Sequence, residues 1–439
     1  MKERYKVGEI ISPLTVETMV NGGAGLARHQ GRVVFIAHTA VGDVVACRIN
    51  KVKKNFLEAE ISEIIQPSPV RRQPPCPVAG DCGGCQWQHL SYPEQLWCKE
   101  SLFRESLSRQ CGIDPDKISA IVPAEDEWNY RSRVQVKCYN SAAGFVTGFY
   151  RPKSHFVVSI KHCPIIAPEL NKLLTQLRNI INSTVYASQI YQIDLAVDDN
   201  GKCMAIIHYS GRDLTDFADL ISGIKITADL FIKTGSKNKL VNVQGDGALS
   251  IKVDYPSIEL EYAAGGFAQI NLEQNRSLVK TILNLAELTG HEQVLDLYCG
   301  MGNFSFPLAR QAKYVIGIEE SAISIKMAHK NKHRNKIENV DFYKKSAEVA
   351  LSFFLQQQPI DLLILDPPRS GAVVTMHELL EKPVNTVLYV SCDPQTLARD
   401  LNILITGGYD LLSSQPFDMF PQTHHCESVS LLQYRFQKY

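Results

Sequence analysis

From about residue 265 to the C terminus, short apolar runs alternate with longer stretches whose apolar residues recur at helical spacing. The longer stretches predict helices, including 272–289 and 321–332, and this alternation predicts a parallel sheet with helices on both faces. The apolar runs predict strands at 293–297, 314–319, 340–343, 360–366, 384–391, 409–416 and 428–434. Because such folds bind ligands beyond the carboxyl ends of their strands, side chains at those ends are the first candidates for a site.

Residues 5–65 follow another pattern, in which short β-rich runs alternate with glycine turns. Short, evenly spaced strands predict a small β-barrel. The strands are predicted at 5–11, 33–36, 43–52 and 56–65. The prolines of residues 66–75 then favour an extended, stiff linker.

Between residues 128 and 262, β-prone runs are interrupted by one helical stretch near 167–181. This pattern predicts an α+β domain with an antiparallel sheet, and a further helix is predicted at 96–111. The strands are predicted at 133–138, 144–150, 190–197, 203–209, 228–233 and 258–263.

We therefore predict a multidomain chain of three folded parts. They are an N-terminal β-barrel (1–66), a central α+β domain (76–264) that follows a linker (67–75), and a C-terminal α/β Rossmann-like domain (265–439). Residues 93–122 are expected to pack on the C-terminal domain. A length of 439 residues agrees with two or three cores.

Composition and charge narrow the class of protein. The chain is 45% hydrophobic, has no apolar run long enough to span a bilayer and lacks a signal-peptide core at its start. We therefore expect a cytoplasmic protein without membrane partners. A net charge of zero argues against indiscriminate coating of nucleic acid, but residues 1–75 hold eleven Lys/Arg against seven Asp/Glu, an excess of +4. That modest excess suits phosphate contacts, although charge alone is equally compatible with a basic domain of no such role.

Twelve cysteines in a chain expected to be cytoplasmic indicate metal binding or catalysis rather than disulfides. Cys76, Cys82 and Cys85 are closely spaced around two glycines, so that their thiolates can converge on one centre. Cys163 is a candidate fourth ligand, although Cys98, Cys111 and Cys138 are also available. Zinc and an iron–sulfur cluster both accept four thiolates, and unligated buried cysteines are the remaining alternative.

Cys392 directly follows the predicted strand 384–391 and therefore lies at a strand's carboxyl end. A thiol nucleophile is needed to methylate C5 of a pyrimidine, because that carbon is unreactive until a group adds to C6. Methyl transfer to nitrogen or oxygen needs no such group. The alternative is a small buried hydrophobe, the interpretation that we give to Cys299 and Cys426.

The segment 294–304 predicts a strand, a glycine turn and a helix start. Gly300 and Gly302 allow a ligand to approach the backbone, and Glu319 ends the next strand, where a carboxylate can hold a ribose diol. The spacing suits a dinucleotide or S-adenosylmethionine, and the missing third glycine favours the latter. A further strand leads into residues 366–371 (Asp-Pro-Pro-Arg-Ser-Gly), where Asp366 either faces a ligand or caps a helix.

Taken together, these motifs resemble the RNA 5-methyluridine methyltransferase family, and specifically its ribosomal-RNA members with a TRAM domain and a 4Fe-4S cluster. The TRAM resemblance lies in residues 22–28 and 41–43. The other motifs are residues 267–271, 296–304, 366–371, 391–394 and 420–427.

The resemblance implies a role for each matching residue. Cys392 is the nucleophile that adds to C6 of uridine, and Glu427 is the base that removes the C5 proton. Phe267 stacks on the target base. S-adenosyl-L-methionine is bound by Gln269, Tyr298, Asn303, Glu319, Ser346 and Asp366, and the 4Fe-4S cluster by Cys76, Cys82, Cys85 and Cys163.

Two positions depart from the family pattern, since Tyr298 stands where Phe is common and Ser346 where Asn or another polar residue often contacts adenine. His424 and His425 are expected to orient the loop of Glu427. The cluster is expected to have a structural role.

The resemblance further implies an RNA partner, 23S ribosomal RNA or transfer RNA, and no DNA; the TRAM domain with the cluster favours 23S rRNA. We expect a monomer. An amino-group methyltransferase is disfavoured because Arg369 follows the Asp-Pro-Pro segment and a cysteine nucleophile is present. A non-catalytic RNA-binding or RNA-folding protein that keeps the fold is the alternative from another class.

Overall fold

The computed structural model describes residues 5–142, 144–235 and 239–435. Its internal contacts divide the chain into two compact units, which we call the N-terminal unit and the large unit. The N-terminal unit consists of the chain up to Phe103 together with two later segments, Phe149–Val158 and Phe420–His425. The large unit consists of Arg104–Gly148, Ser159–Met419 and the chain from Cys426. Within the described ranges, no helix is long and apolar enough to cross a membrane.

The N-terminal unit is built on one six-stranded sheet, in the order β1-β5-β6-β4-β3-β2. Its core is formed by alternate apolar side chains such as Leu14, Val34 and Ile49, all of which are buried. The predicted strands appear as β4 to β6, whereas the first strand starts later than predicted and β2 and β3, beside the glycine turn, were missed. The strands are β1 (Ile10–Thr15), β2 (Thr18–Met19), β3 (Gly25–His29), β4 (Arg32–Ile36), β5 (Val44–Val52) and β6 (Phe56–Gln66). Helix α1 (Tyr92–Cys111) begins in this unit and ends in the large unit.

The next sheet has seven strands, in the order β13-β12-β11-β10-β7-β8-β9, and belongs to the large unit except for the residues of β8 and β9 that fall within Phe149–Val158. The strands are β7 (Arg133–Ser141), β8 (Gly144–Tyr150), β9 (Val157–Ser159), β10 (Ile190–Val197), β11 (Cys203–Tyr209), β12 (Asp229–Thr234) and β13 (Leu240–Gln244). Helix α2 (Pro168–Asn182) precedes β10, and β14 (Ala248–Asp254) and β15 (Ile258–Ala263) form a separate hairpin.

The prediction of an antiparallel sheet was wrong for one pair, because β11 and β12 are parallel. A parallel pair needs a crossover connection, and the chain between these strands contains helix α3 (Leu214–Ser222), which the sequence analysis missed.

The second sheet of the large unit has the order β18-β17-β16-β19-β20-β22-β21. Its strands are β16 (Gln293–Leu297), β17 (Tyr314–Glu319), β18 (Val340–Lys344), β19 (Leu362–Leu365), β20 (Thr386–Ser391), β21 (Tyr409–Phe417) and β22 (Glu427–Tyr434). The helices are α4 (Leu272–Ala286), α5 (Ser305–Ala309), α6 (Ala322–Asn335), α7 (Ala347–Gln357), α8 (Val373–Glu381) and α9 (Pro394–Thr406).

The predicted parallel sheet is confirmed for β16 to β20 but was wrong at its end. Strand β22 lies between β20 and β21 and runs antiparallel to both. The reason is that β21 and β22 are joined by residues 418–426, which contain no helix, and an antiparallel neighbour needs no helical crossover.

The strand order reverses between β16 and β19, since the chain continues from β16 to β17 on one side and from β19 to β20 on the other. In doubly wound sheets this reversal opens a crevice at the carboxyl ends of the strands, where ligands bind. The segments that leave those ends begin with Tyr298 after β16, Asp366 after β19 and Cys392 after β20.

Candidate active site

The turn after β16 has a backbone that leaves room for a ligand. Tyr298, Gly300 and Gly302 all have positive φ angles, of 64°, 58° and 97°. A Cβ atom on Gly302 would lie 2.3 Å from the ring of Phe306, so this position requires glycine. A Cβ on Gly300 would meet nothing within 4 Å, which shows open space above the turn. A ligand can therefore lie close to the backbone at Gly300.

The carboxylate of Glu319 is held against this turn. It accepts hydrogen bonds from the backbone N–H of Gly300, at 3.2 Å, and from that of Ser321, at 2.7 Å. Because Glu319 ends β17, which neighbours β16, the side chain lies where a ribose diol would meet it in a doubly wound fold.

Asp296 is the next-to-last residue of β16 and carries a buried carboxyl group. The sequence analysis did not select it as a site residue. One oxygen accepts a short hydrogen bond from the hydroxyl of Ser305, at 2.5 Å, while Oδ1 has no hydrogen-bond partner among the described residues. Burial, followed by the charges of Asp366 and Glu319, raises the pKa of Asp296 to about 7. The sequence signal was an acidic residue inside an apolar strand, where a carboxyl group is rarely fully buried unless it is paired.

The thiol of Cys392 lies among three carboxyl groups, those of Glu427, Asp366 and Asp393, and one cation, that of Arg369. Burial, and then the charges of Glu427 and Asp366, raise the pKa of Cys392 to about 12, while Arg369 lowers it. Burial also raises the pKa of Glu427 well above its usual value, with a further contribution from Asp366 and an opposing one from Arg369. The pKa of Asp366 is raised by burial to about 7. Near neutral pH the resting Cys392 is therefore a protonated thiol.

Pairing of β20 with β22 brings the nucleophile candidate and the base candidate together. Ser391, just before Cys392, pairs with Ser428, just after Glu427, and the Ser428 hydroxyl donates to the Ser391 carbonyl at 3.2 Å. Asp393 then caps helix α9 by accepting from the backbone N–H groups of two residues in its first turn. Cys392 is thus held between the end of a central strand and the start of a helix.

The other predicted donor-site residues have contacts of their own. Asn303 forms two reciprocal amide hydrogen bonds with Asn275 of α4, each of 2.9 Å. Ser346 caps α7 through the backbone N–H of Val349. Gln269 accepts from the Ser132 hydroxyl through its backbone carbonyl. These hydrogen bonds do not involve Asp366 or Cys392, so the donor-binding roles of Gln269, Asn303 and Ser346 stay predictions.

Phe267 is exposed to 63% and therefore presents its ring to solvent. The guanidinium carbon of Arg133 lies 5.9 Å from the centre of that ring and 5.7 Å from the ring centre of Tyr262. An exposed ring backed by a cation is suited to stacking on a nucleobase. His424 and His425, by contrast, belong to the N-terminal unit, where their rings lie 4.1 Å apart.

The cysteine ligands predicted for the 4Fe-4S cluster lie in different units, with Cys76, Cys82 and Cys85 in the N-terminal unit and Cys163 in the large one. Cys76 is close enough to contribute to the raised pKa of Cys82, whose sulfur also accepts from the Gly84 N–H at 3.4 Å. This donor chemistry suits a metal site. Across the residues that the structure describes, however, no three His, Cys, Asp or Glu side chains are arranged to hold a metal ion, so the cluster stays a prediction.

The fold is a doubly wound α/β sheet with open space above the glycine turn after β16 and with a thiol and a buried carboxyl group at the ends of neighbouring strands. The family model described as tRNA (Uracil-5-)-methyltransferase matches residues 115–435, and the TRAM domain model matches residues 6–62. The chain belongs to this methyltransferase family, which confirms the resemblance, the N-terminal TRAM domain and the C-terminal methyltransferase fold.

Two relatives that cover nearly the whole chain agree with this placement. The 23S rRNA (uracil(1939)-C(5))-methyltransferase RlmD of Aeromonas hydrophila is 33% identical, over 95% of this chain and 95% of its own. An uncharacterized RNA methyltransferase of Thermosynechococcus vestitus is also 33% identical, over 95% of this chain and 97% of its own. The crystal structure of Pyrococcus abyssi tRNA (uracil-54, C5)-methyltransferase with S-adenosyl-L-homocysteine has a TM-score of 0.74 at 23% identity, covering 95% of this chain and 99% of that one. It shows that the fold is shared.

Proposed function

We propose that this RNA uracil-5-methyltransferase converts uridine to 5-methyluridine in 23S ribosomal RNA through a covalent adduct on Cys392. The observation that carries the proposal is the pairing of β20 with β22, which brings a thiol and a buried carboxyl group together beside Asp366. Only methylation at carbon C5 requires both groups, because the ring must first be activated at C6 and afterwards deprotonated at C5. Relatives named for 23S rRNA support that substrate.

The methyl donor proposed for the glycine turn is S-adenosyl-L-methionine, which supplies an electrophilic methyl group when bound. The residues present fit it, because open space lies above Gly300 and the unpaired oxygen of Asp296 is a buried acceptor beside the turn. Glu319 and Asp366 would hold it from the ends of β17 and β19. Tyr298, Gln269, Asn303 and Ser346 are the remaining predicted contacts.

The reaction uses the thiol first. Cys392 gives its proton to solvent water, its sulfur forms a bond to C6 of uracil, and the electron pair of the C5–C6 double bond moves to C5 and O4. C5 then uses this electron pair to form a bond to the methyl carbon, and the electron pair of the methyl–sulfur bond that breaks would stay on the donor's sulfur. Because the resting thiol is protonated, the cation of Arg369, which lowers the pKa of Cys392, favours the thiolate that the first step needs.

Glu427 acts second. Its ionised carboxylate takes the proton from C5, and the electron pair of that C–H bond restores the double bond and expels the Cys392 thiolate. Burial raises the pKa of Glu427 well above its usual value, and only the ionised form can take this proton. A buried carboxylate is a stronger base than an exposed one, since its raised pKa increases its proton affinity.

RNA binding is proposed for the TRAM barrel and for Phe267. The ring of Phe267, with Arg133 behind it, would stack on the target base.

The cluster prediction is part of the same proposal: Cys76, Cys82, Cys85 and Cys163 hold a 4Fe-4S centre, supported by their spacing and by the proximity of Cys76 and Cys82. A cytoplasmic location, a monomeric state and the absence of DNA partners stay predictions.

The test is to incubate the protein with S-adenosyl-L-methionine and RNA from cells that lack the gene, and then to map 5-methyluridine. We expect methylation of 23S rRNA and not of transfer RNA, abolished in Cys392→Ala. Methylation of transfer RNA alone would replace the substrate, whereas no methyl transfer to either RNA would favour the non-catalytic RNA-binding alternative.

A further inference from the structure

Helix α9, which starts two residues after Cys392, carries a fully buried carboxylate at Asp400. One of its oxygens, Oδ2, accepts from the backbone N–H of Ala372 at 2.7 Å and from the hydroxyl of Tyr389 at 2.6 Å. The other, Oδ1, accepts from Nε of Arg399 at 2.8 Å. Three donors thus converge on one buried charge, and hydrogen bonds to a charged group are stronger than neutral ones.

Two of these donors, Tyr389 and Ala372, come from segments next to the reaction centre, whereas Arg399 lies on α9 itself. Tyr389 lies in β20, three residues before Cys392, and Ala372 ends the segment that begins with Asp366 after β19. Burial and the charge of Asp400 raise the pKa of Tyr389, so its hydroxyl remains a donor. Asp400 therefore connects the strand that ends at the thiol with the segment that carries Asp366 and Arg369.

A second contact fixes the same segment. Nη2 of Arg399 donates to the carbonyl of Ser370 at 2.7 Å. Gly371 has a φ of 75°, and a Cβ atom there would lie 2.4 Å from Oδ2 of Asp400 and 2.4 Å from Nη2 of Arg399. The backbone of residues 370–372 thus lies directly on the Arg399–Asp400 pair, too close for any side chain to intervene.

We propose that Asp400, with Tyr389 and Arg399, positions the segment 369–372 relative to Cys392 and so sets the rate at which the thiol adds to uridine. We call these three residues the loop clamp. The segment carries Arg369, whose cation acts on both Cys392 and Glu427. Loosening the clamp would change the distance between that cation and the thiol without removing any group that touches substrate. The proposal rests on the covalent mechanism given above.

The informative variant is Tyr389→Phe, which removes one hydrogen bond from Asp400 and no atom from the crevice. Tyr409→Phe is a matched control, because Tyr409 is also fully buried in the same sheet and its hydroxyl donates one hydrogen bond, to the Val384 carbonyl at 2.8 Å. Three quantities are compared: the thermal unfolding midpoint, the dissociation constant for S-adenosyl-L-methionine, and the rate of adduct formation with 5-fluorouridine RNA at saturating RNA and donor. Fluorouridine traps the adduct because fluorine does not leave C5 as a proton does.

We expect both variants to lose similar thermal stability and to keep donor affinity within about threefold. The adduct rate should fall about tenfold or more in Tyr389→Phe, since small misplacements of reacting groups cost up to about 100-fold, and should stay within about twofold in Tyr409→Phe. Asp400→Asn, which keeps the shape but removes the charge, should slow the reaction further.

A wild-type adduct rate in Tyr389→Phe, or equal slowing in both Tyr→Phe variants, would show that the clamp only stabilises the fold. A wild-type enzyme that forms no adduct would instead refute the covalent mechanism, so the two failures are distinguishable.

Discussion

Replacing Glu427 with Gln removes the buried carboxyl group beside Cys392 and keeps the shape of the side chain. Glu427 is 3% exposed and begins β22, whose pairing with β20 uses backbone groups. The isosteric amide should therefore leave the strand register and the position of the thiol unchanged. The substitution separates the two halves of the reaction, because it removes the base but not the nucleophile.

The two halves should respond in opposite directions. After burial, the charge of Glu427 makes the largest contribution to the raised pKa of the Cys392 thiol. A neutral Gln removes that contribution, so addition of the thiol to C6 should be as fast as in the wild type or faster. Elimination loses its general base, a loss that typically costs about 10²–10⁴ in rate, or about 3–5 kcal/mol of barrier at 1.36 kcal/mol per tenfold change.

The expected result is a methylated covalent protein–RNA complex in Glu427→Gln. With a labelled methyl donor, the complex appears as a band of labelled protein that survives denaturing gel electrophoresis, while release of 5-methyluridine falls by the factor above. Cys392→Ala should give no band. Cys203→Ala, a buried cysteine of β11 in the other sheet, serves as the control for loss of a thiol and should behave as the wild type.

Two outcomes would refute this reasoning. Normal turnover of Glu427→Gln would remove Glu427 as the base, and an adduct in Cys392→Ala would remove Cys392 as the nucleophile. A covalent complex of Glu427→Gln that lacks the methyl label would show that the reaction stalls before methyl transfer. That result would also contradict the assignment of Glu427 as the base for C5 deprotonation.

Further predictions follow from the same groups. Because the pKa of Cys392 is raised to about 12 and the resting thiol is protonated, the adduct rate should increase with pH from 6 to 9; a flat profile would contradict a thiol that must ionise. The pKa of Asp296 is raised to about 7 in the folded protein, so the folded state binds a proton that the unfolded state releases at lower pH. This group's contribution to stability is therefore lost as pH rises from about 4 to 7, and the thermal unfolding midpoint should decline over that range. Asp296→Asn should make that decline smaller. Anaerobically purified protein should contain iron and a broad visible absorbance, and Cys82→Ala should lower stability or RNA affinity more than the chemistry; stoichiometric zinc without iron would refute the cluster. Deleting residues 1–66 should weaken RNA binding and reduce its salt dependence, since the deleted part carries basic residues that we propose contact phosphates. Full activity at physiological salt would exclude a substrate role for the barrel.

Local sequence patterns sufficed for the elements that bury continuous apolar runs. Strands β16 and β17 begin and end at the predicted residues, because each is an apolar run bounded by polar or glycine residues. The motifs that follow strands also needed no tertiary information, since a strand's carboxyl end is a local feature. Thus the glycine turn, the Asp-Pro-Pro segment and Cys392 were predicted at the ends of β16, β19 and β20.

Only the tertiary structure decided which of those ends meet. The insertion of β22 between β20 and β21 places Glu427 beside Cys392, and strand order depends on pairing between distant segments that no local pattern specifies. The tertiary structure also revealed the hydrogen-bond partners of Asp296 and Asp400, which are Ser305 and Tyr389. The sequence shows only that each is an acidic residue in a largely apolar element. The sequence thus determined which reactive side chains are present and at which strand ends they lie. Long-range packing determined which of these side chains are neighbours and how deeply each is buried, and burial in turn shifts their pKa values.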